Sequence, residues 1–161
     1  MTAGPSIVPP GELPRRGGPT QLGGWQQQRP MQRVTPEEAR SHLAIRGELS
    51  ALQLRVPGVR GSVVAGVDGL LITHDLPVDA EPHDLAALAA TTYGLGRQCG
   101  YALRQGPFRE TTIRSLRGYF TVYAVGERAL LAVLGDDGLN VARLHLEARP
   151  VTDRIADLLL P

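Results

Sequence analysis

LAALAATTYGLGRQCGYAL, running from Leu85 to Leu103, holds nineteen residues and one charged side chain, Arg97. A helix lying on a water-soluble domain keeps one polar face. This stretch has almost none, so both of its sides are expected to meet protein. At helical spacing Leu85, Leu88, Thr92, Leu95, Cys99 and Ala102 form one stripe, and Ala86, Ala90, Tyr93, Arg97 and Tyr101 form roughly the opposite one. One stripe suits the domain's own sheet and the other a partner. Three glycines inside a helix, Gly94, Gly96 and Gly100, each cost about 1 kcal/mol relative to alanine. Close packing against another backbone is the usual compensation, and in a domain this small a second copy of the chain is the favoured source of it.

A membrane span needs about 20 predominantly apolar residues. Thr91, Thr92, Gly94, Gly96, Arg97, Gln98 and Gly100 dilute this stretch too far. At the N-terminus, Arg15 and Arg16 are followed by Gly17 to Gln21, where a signal peptide would require an apolar segment. A cytoplasmic protein is expected. Cys99 is the one cysteine, so neither an intrachain disulfide nor a thiolate metal site can be built. It reads as a small buried hydrophobe on the helix.

Working outward from the helix, Asp75 to Asp84 is a polar loop containing Pro77 and Pro82. Before it, Val59–Val67 and Leu70–His74 flank Asp68-Gly69, a strong hairpin signal. Both phases of the first strand are apolar or small (Val63, Ala65, Val67 against Ser62, Val64, Gly66), so it should be covered on both faces. Earlier still, Thr35-Pro36-Glu37-Glu38 is a capping box that opens a helix ending at Pro57-Gly58. After the uncharged helix, Arg109–Leu116, Tyr119–Val125 and Arg128–Leu134 read as a three-strand meander. Asn140–Leu159 is helical in pattern, with Pro150 expected to kink or split it. The fold class is therefore α+β: a five-stranded antiparallel sheet with helices on both faces, in the order helix, two strands, helix, three strands, helix.

Composition divides the chain. Residues 1–34 hold six prolines, six glycines and the run Gln26-Gln27-Gln28. Such a segment cannot bury enough apolar surface to become ordered, and it reads as a disordered tail, with Trp25 its one candidate anchor. Its four arginines and Glu12 give +3. Residues 35–161 carry thirteen arginines against fifteen acids, or −2, which is no nucleic-acid footprint. Every basic residue is arginine, a pattern attributed to a GC-rich genome.

Catalytic signals are absent from the sequence. His42, His74, His83 and His145 are isolated, with no pair at i,i+4. Asp75, Asp79, Glu81, His83 and Asp84 lack the alternating ligands and central glycine of a calcium loop, and solubility plus negative charge at a helix N-terminus is the simpler role. Gly94-Leu95-Gly96 sits inside a helix and is no dinucleotide fingerprint. No metal, no cofactor and no enzyme are expected.

Three features together resemble the roadblock/dynein light chain family: Val56-Pro57-Gly58-Val59-Arg60-Gly61, the VDGLLI hairpin (Val67–Ile72), and the Ala-rich helix after an acidic loop. The ending YFTVYAVGERALLAVLGDDGLNVARLHLEAR (Tyr119–Arg149) is also similar to that family. The resemblance covers about residues 36–160. It implies the same fold, with the second helix and third strand forming a homodimer interface, here Leu85–Leu103 and Arg109–Leu116. The seam would then involve Leu85, Leu88, Ala89, Thr92, Leu95, Gly96, Cys99, Ile113 and Leu116. Bacterial members work beside small Ras-like GTPases as regulators or scaffolds. Arg97, Arg109 and Arg114 are candidate partner contacts by location alone. Pro150 and the Pro-rich tail depart from the family pattern.

The resulting expectation is a non-catalytic homodimeric regulator of a small GTPase. Its rivals are a scaffold dimer that recruits another protein through the tail, and a small-ligand sensor domain. Deleting residues 1–34 is expected to leave the midpoint of thermal unfolding unaltered; a large drop would mean that the tail packs on the body.

Overall fold

Thr35 caps the first helix as its sequence requires. Its hydroxyl accepts the Glu38 N–H at 3.2 Å, and the Glu38 carboxylate accepts the Thr35 N–H at 2.7 Å. The hydrogen bond from the Thr35 backbone holds the Glu38 carboxyl below its usual range. The computed structural model describes residues 35–160; the expected tail, with Trp25, lies outside them.

Helix α1 (Pro36–Arg55) leads into β1 (Val59–Gly66) and β2 (Leu71–Asp75), then α2 (Pro82–Ala102). Strands β3 (Glu110–Ser115), β4 (Gly118–Val125) and β5 (Ala129–Asp136) follow, and α3 (Val141–Leu159) closes the domain. Asp68-Gly69 turns the first hairpin, with Gly69 at φ +84°, a backbone region that glycine enters without strain. The five strands form one sheet in the order β2-β1-β5-β4-β3, every pair antiparallel.

Alternation along the central strands builds two cores. From β1 and β5, Val64, Leu131 and Val133 face Ile45, Leu49 and Leu52 of α1 and Leu144, Ala148, Val151 and Ile155 of α3. Their chain neighbours Val63, Leu130 and Ala132 face the other way, beneath Ala89 of α2. This two-sided burial explains why both phases of β1 are apolar.

Proline 150 does not split α3, which is helical from Val141 to Leu159. The lost hydrogen bond would have gone to the Leu146 carbonyl. Leu146, Arg149 and Pro150 all lie on the exposed side, where water can serve that carbonyl. Leu144, Ala148, Val151 and Ile155 meanwhile hold both halves of the helix on the sheet.

Helix α3 is also tied across the sheet. The Tyr123 hydroxyl of β4 and His145 Nδ1 are 2.9 Å apart. Glu110 of β3 lies 3.4 Å from the same nitrogen and 3.9 Å from Arg149. Burial, and after it the Glu110 carboxylate, pushes the Tyr123 phenol well above its ordinary value of 10.

Two tests follow from this packing. Tyrosine 123 stays protonated in the fold at a pH where the unfolded chain has begun to ionise it. Its contribution is therefore complete below pH ~10 and declines as pH rises beyond that, by up to ~1.4 kcal/mol per unit. Denaturant titrations between pH 9 and 11 should show a steeper loss in the native chain than in Tyr123→Phe; equal slopes would refute the assignment. The helix glycines should separate in the same assay. A β-carbon on Gly94 meets open space, whereas one on Gly100 lands 2.5 Å from the Gly106 carbonyl oxygen. Gly94→Ala is expected to raise stability by about 1 kcal/mol and Gly100→Ala to lower it by about 1–3 kcal/mol.

Candidate functional site

The face that α2 turns to the sheet is its small one. Ala86 and Ala89 are fully buried, while Leu88 and Leu95 are 54% and 68% exposed. Alanines let the helix approach the strands closely, and the hairpin turn joins in: Gly69 sits against Ala87 and Ala90. Leucines 88 and 95 are seven residues apart, two helical turns, and share the outward side.

Edge strand β3 continues this surface. Thr111 and Ile113 pair with Val122 and Phe120, residues of the core beneath α2, so their side chains point toward α2. Thr92, Leu95 and Cys99 of the helix and Ile113 of the strand line one open groove. Ile113 is 47% exposed, and Leu116, in the turn after β3, is 96% exposed. The outer edge of β3 has no neighbouring strand among the described residues. Unpaired main-chain groups and aliphatic side chains thus lie side by side, the combination by which a sheet edge recruits another chain.

Not every residue of the expected seam lies on this surface. Ala89 is buried beneath α2 and Leu85 packs partly into the same core, so both serve the monomer. Helical spacing groups residues by side, but it does not tell which of two apolar sides goes inward. Gly96 faces a ring of its own chain: a β-carbon there would collide with Phe108. Gly100 likewise receives the backbone of Gly106. The close packing expected of a partner at these two glycines is supplied by the loop between α2 and β3. Cys99 is exposed rather than buried.

Phe108 escaped the sequence reading, although two glycines four residues apart were its signal. Its ring meets Tyr93 edge-on, with centroids 5.4 Å apart. The Arg97 guanidinium lies over the Tyr93 ring, 5.6 Å from its centroid. Arg109 borders the α2–β3 groove. Arg114 belongs elsewhere: it pairs in register with Tyr119, its guanidinium 5.7 Å from that ring. Tyr119 packs against the core of α1 and α3, so Arg114 lies on the opposite face of the sheet.

The loop acids have local partners. Asp75 accepts a hydrogen bond from Ser50 at 2.5 Å, Asp79 pairs with Arg60, and Glu81 accepts the His83 N–H at the start of α2. Among the described residues, no three His, Cys, Asp or Glu side chains converge on one point, and no helix is long and apolar enough to cross a membrane.

The model of the Roadblock/LC7 domain family matches residues 45–135, more than half of the chain. The fold is similar to that of a Roadblock/LC7 domain from Streptomyces avermitilis, with a TM-score of 0.67 and 26% identity over 71% of this chain and 97% of that one. It is also similar to the gliding protein MglB of Thermus thermophilus, with a TM-score of 0.66 and 18% identity over 73% and 90% of the two chains. In sequence, the uncharacterised protein MJ0310 of Methanocaldococcus jannaschii is 27% identical over 101 residues, which are 63% of this chain and 88% of that protein. The matched region holds both strands of the first hairpin, the uncharged helix and the three-strand meander, and this chain belongs to the Roadblock/LC7 domain family.

Proposed function

We propose that the domain is a homodimeric, non-catalytic regulator or scaffold of a small Ras-like GTPase, working in the cytoplasm. The observation that carries this reading is the exposed aliphatic surface of α2 and β3: Leu88, Leu95, Ile113 and Leu116 beside an open sheet edge. Contiguous apolar patches of this kind mark protein interfaces. Covering the four side chains is worth about 1–2 kcal/mol each. In an isologous pairing, a twofold axis between Leu88 and Leu95 would set each leucine near the other of the second copy. Membership of the Roadblock/LC7 family, whose bacterial members the sequence resemblance places beside small Ras-like GTPases, supports the choice of a GTPase. Regulation would then be recognition of the GTPase surface by the composite face of the dimer, not chemistry by this chain.

Light scattering tests the first half of the proposal. The native chain should show twice its mass of 17.3 kDa, and Leu95→Arg should halve that or drive the chain into aggregates. An unchanged dimer would remove α2 from the seam. A pull-down against the host's small GTPases, loaded in turn with GDP and a non-hydrolysable GTP analogue, tests the second half. Capture with a preference for one nucleotide state is expected; capture of no GTPase in either state would overturn the proposal.

A further inference from the structure

Between Asp84 and Glu110 the chain has no carboxylate and three arginines, Arg97, Arg104 and Arg109. The rest of residues 35–160 carries ten arginines against fifteen carboxylates. A +3 segment is thus set in a body of −5. Elsewhere Arg55, Arg60, Arg149 and Arg154 pair with carboxylates. The three arginines of the segment form no ion pair among the described residues.

Main-chain hydrogen bonds set where Arg104 and Arg109 leave the backbone, and a ring contact places Arg97. Helix α2 ends with the Gln105 N–H donating to the Gly100 carbonyl at 2.9 Å and the Arg104 N–H to the Tyr101 carbonyl at 3.2 Å. This is the Schellman arrangement, and its left-handed position is usually glycine. Arg104 occupies it at φ +54° and is the one non-glycine residue with positive φ among those described. A β-carbon there costs about 1–2 kcal/mol. Arg97 is laid over Tyr93, and the Arg109 carbonyl is pinned by the Ala124 N–H at 2.8 Å. Arg97, Tyr101, Arg104, Pro107 and Phe108 line a single hollow, with Tyr101 86% exposed above it.

We infer that the C-terminal end of α2 and the loop after it form a docking site for a carboxylate-rich patch on a partner protein. Guanidinium groups match carboxylates in a two-pronged geometry, and a guanidinium already laid on a ring, as Arg97 is on Tyr93, loses less entropy on binding. Charge distribution selects a protein as the occupant. A nucleic acid or an anionic bilayer extends well beyond three arginines and would meet the −5 remainder, while three charges near a bilayer contribute only about 1 kcal/mol each. A compact acidic patch meets the arginines alone. The inference rests on the proposed partner only in naming the contact chemistry that such a partner must offer.

The test uses the full chain, labelled with nitrogen-15, and a ten-residue peptide of alternating Glu and Ala at low salt. Amide shifts are expected to change within residues 97–109 and nowhere else, and a peptide with Gln in place of Glu should change none. Arg104→Gly is the diagnostic variant. Glycine relieves the backbone strain, so its thermal midpoint should be equal or higher, while peptide affinity falls about tenfold. Arg97→Gln and Arg109→Gln, which leave that backbone untouched, should each weaken the peptide as well. The inference is overturned by unchanged affinity in all three variants, or by shifts outside the segment. Stronger binding of a 20-mer single-stranded DNA or of phosphatidylserine vesicles would overturn it too, as would conversion of dimer to monomer by Arg104→Gly, which would place the arginine in the seam. Because the peptide is no GTPase, a failed pull-down leaves this result standing, and a failed titration leaves the GTPase reading standing.

Discussion

Val63 and Val64 are adjacent in the chain and buried on opposite faces of the sheet, and the rest of the domain follows from that constraint. Strands β1 and β5, lying next to each other, put large apolar side chains on both faces. Such a pair must be covered from above and below, which requires helices on either side and leaves the shorter strands β2 and β3 at the edges. Helices α1 and α3 together cover one face. Helix α2 covers the other alone, and it does so with alanines.

That unequal division creates the surface on which the functional reading rests. A helix that meets its sheet through Ala86 and Ala89 has Leu88 and Leu95 left for the other side. Since α2 covers the β1–β5 centre, the groove beside it opens onto the edge strand β3. The main-chain edge, the aliphatic strip and the arginine-bearing end of the helix are therefore neighbours because of how the core was filled. No separate structural device is needed to bring them together.

Much of this was legible in the chain. The capping box at Thr35 and the Asp68-Gly69 turn fixed where elements begin and turn, because each acts through local geometry that tertiary packing has no reason to override. The doubly apolar β1 announced helices on both faces. What the sequence withheld was three-dimensional choice. Periodicity joined Leu85, Leu88 and Leu95 in one stripe, yet the smaller side chains won the sheet face because alanine permits the closest approach. The glycines at 96 and 100 signalled close packing without saying that Phe108 and Gly106 of the same chain would fill it. Pro150 looked like a break, but the side on which the missing hydrogen bond falls is a property of the packed helix. The left-handed Arg104 had no signal at all, since only the geometry at the end of α2 shows that glycine is the ordinary occupant there.

The two cores also differ in what they hold. Beneath α1 and α3 lie isoleucine, leucine, valine and tyrosine side chains in number, whereas the fully buried members under α2 are Val63, Ala89, Val122, Leu130 and Ala132. Opening free energies within a fold scale with the apolar contact that must be broken. The α2 layer is then the one that exchanges its amide hydrogens first, through partial opening that leaves the larger core intact. Any molecule that clasps α2 would raise the protection of that layer more than of any other, so that occupancy of the surface is written into the local exchange rates of the helix.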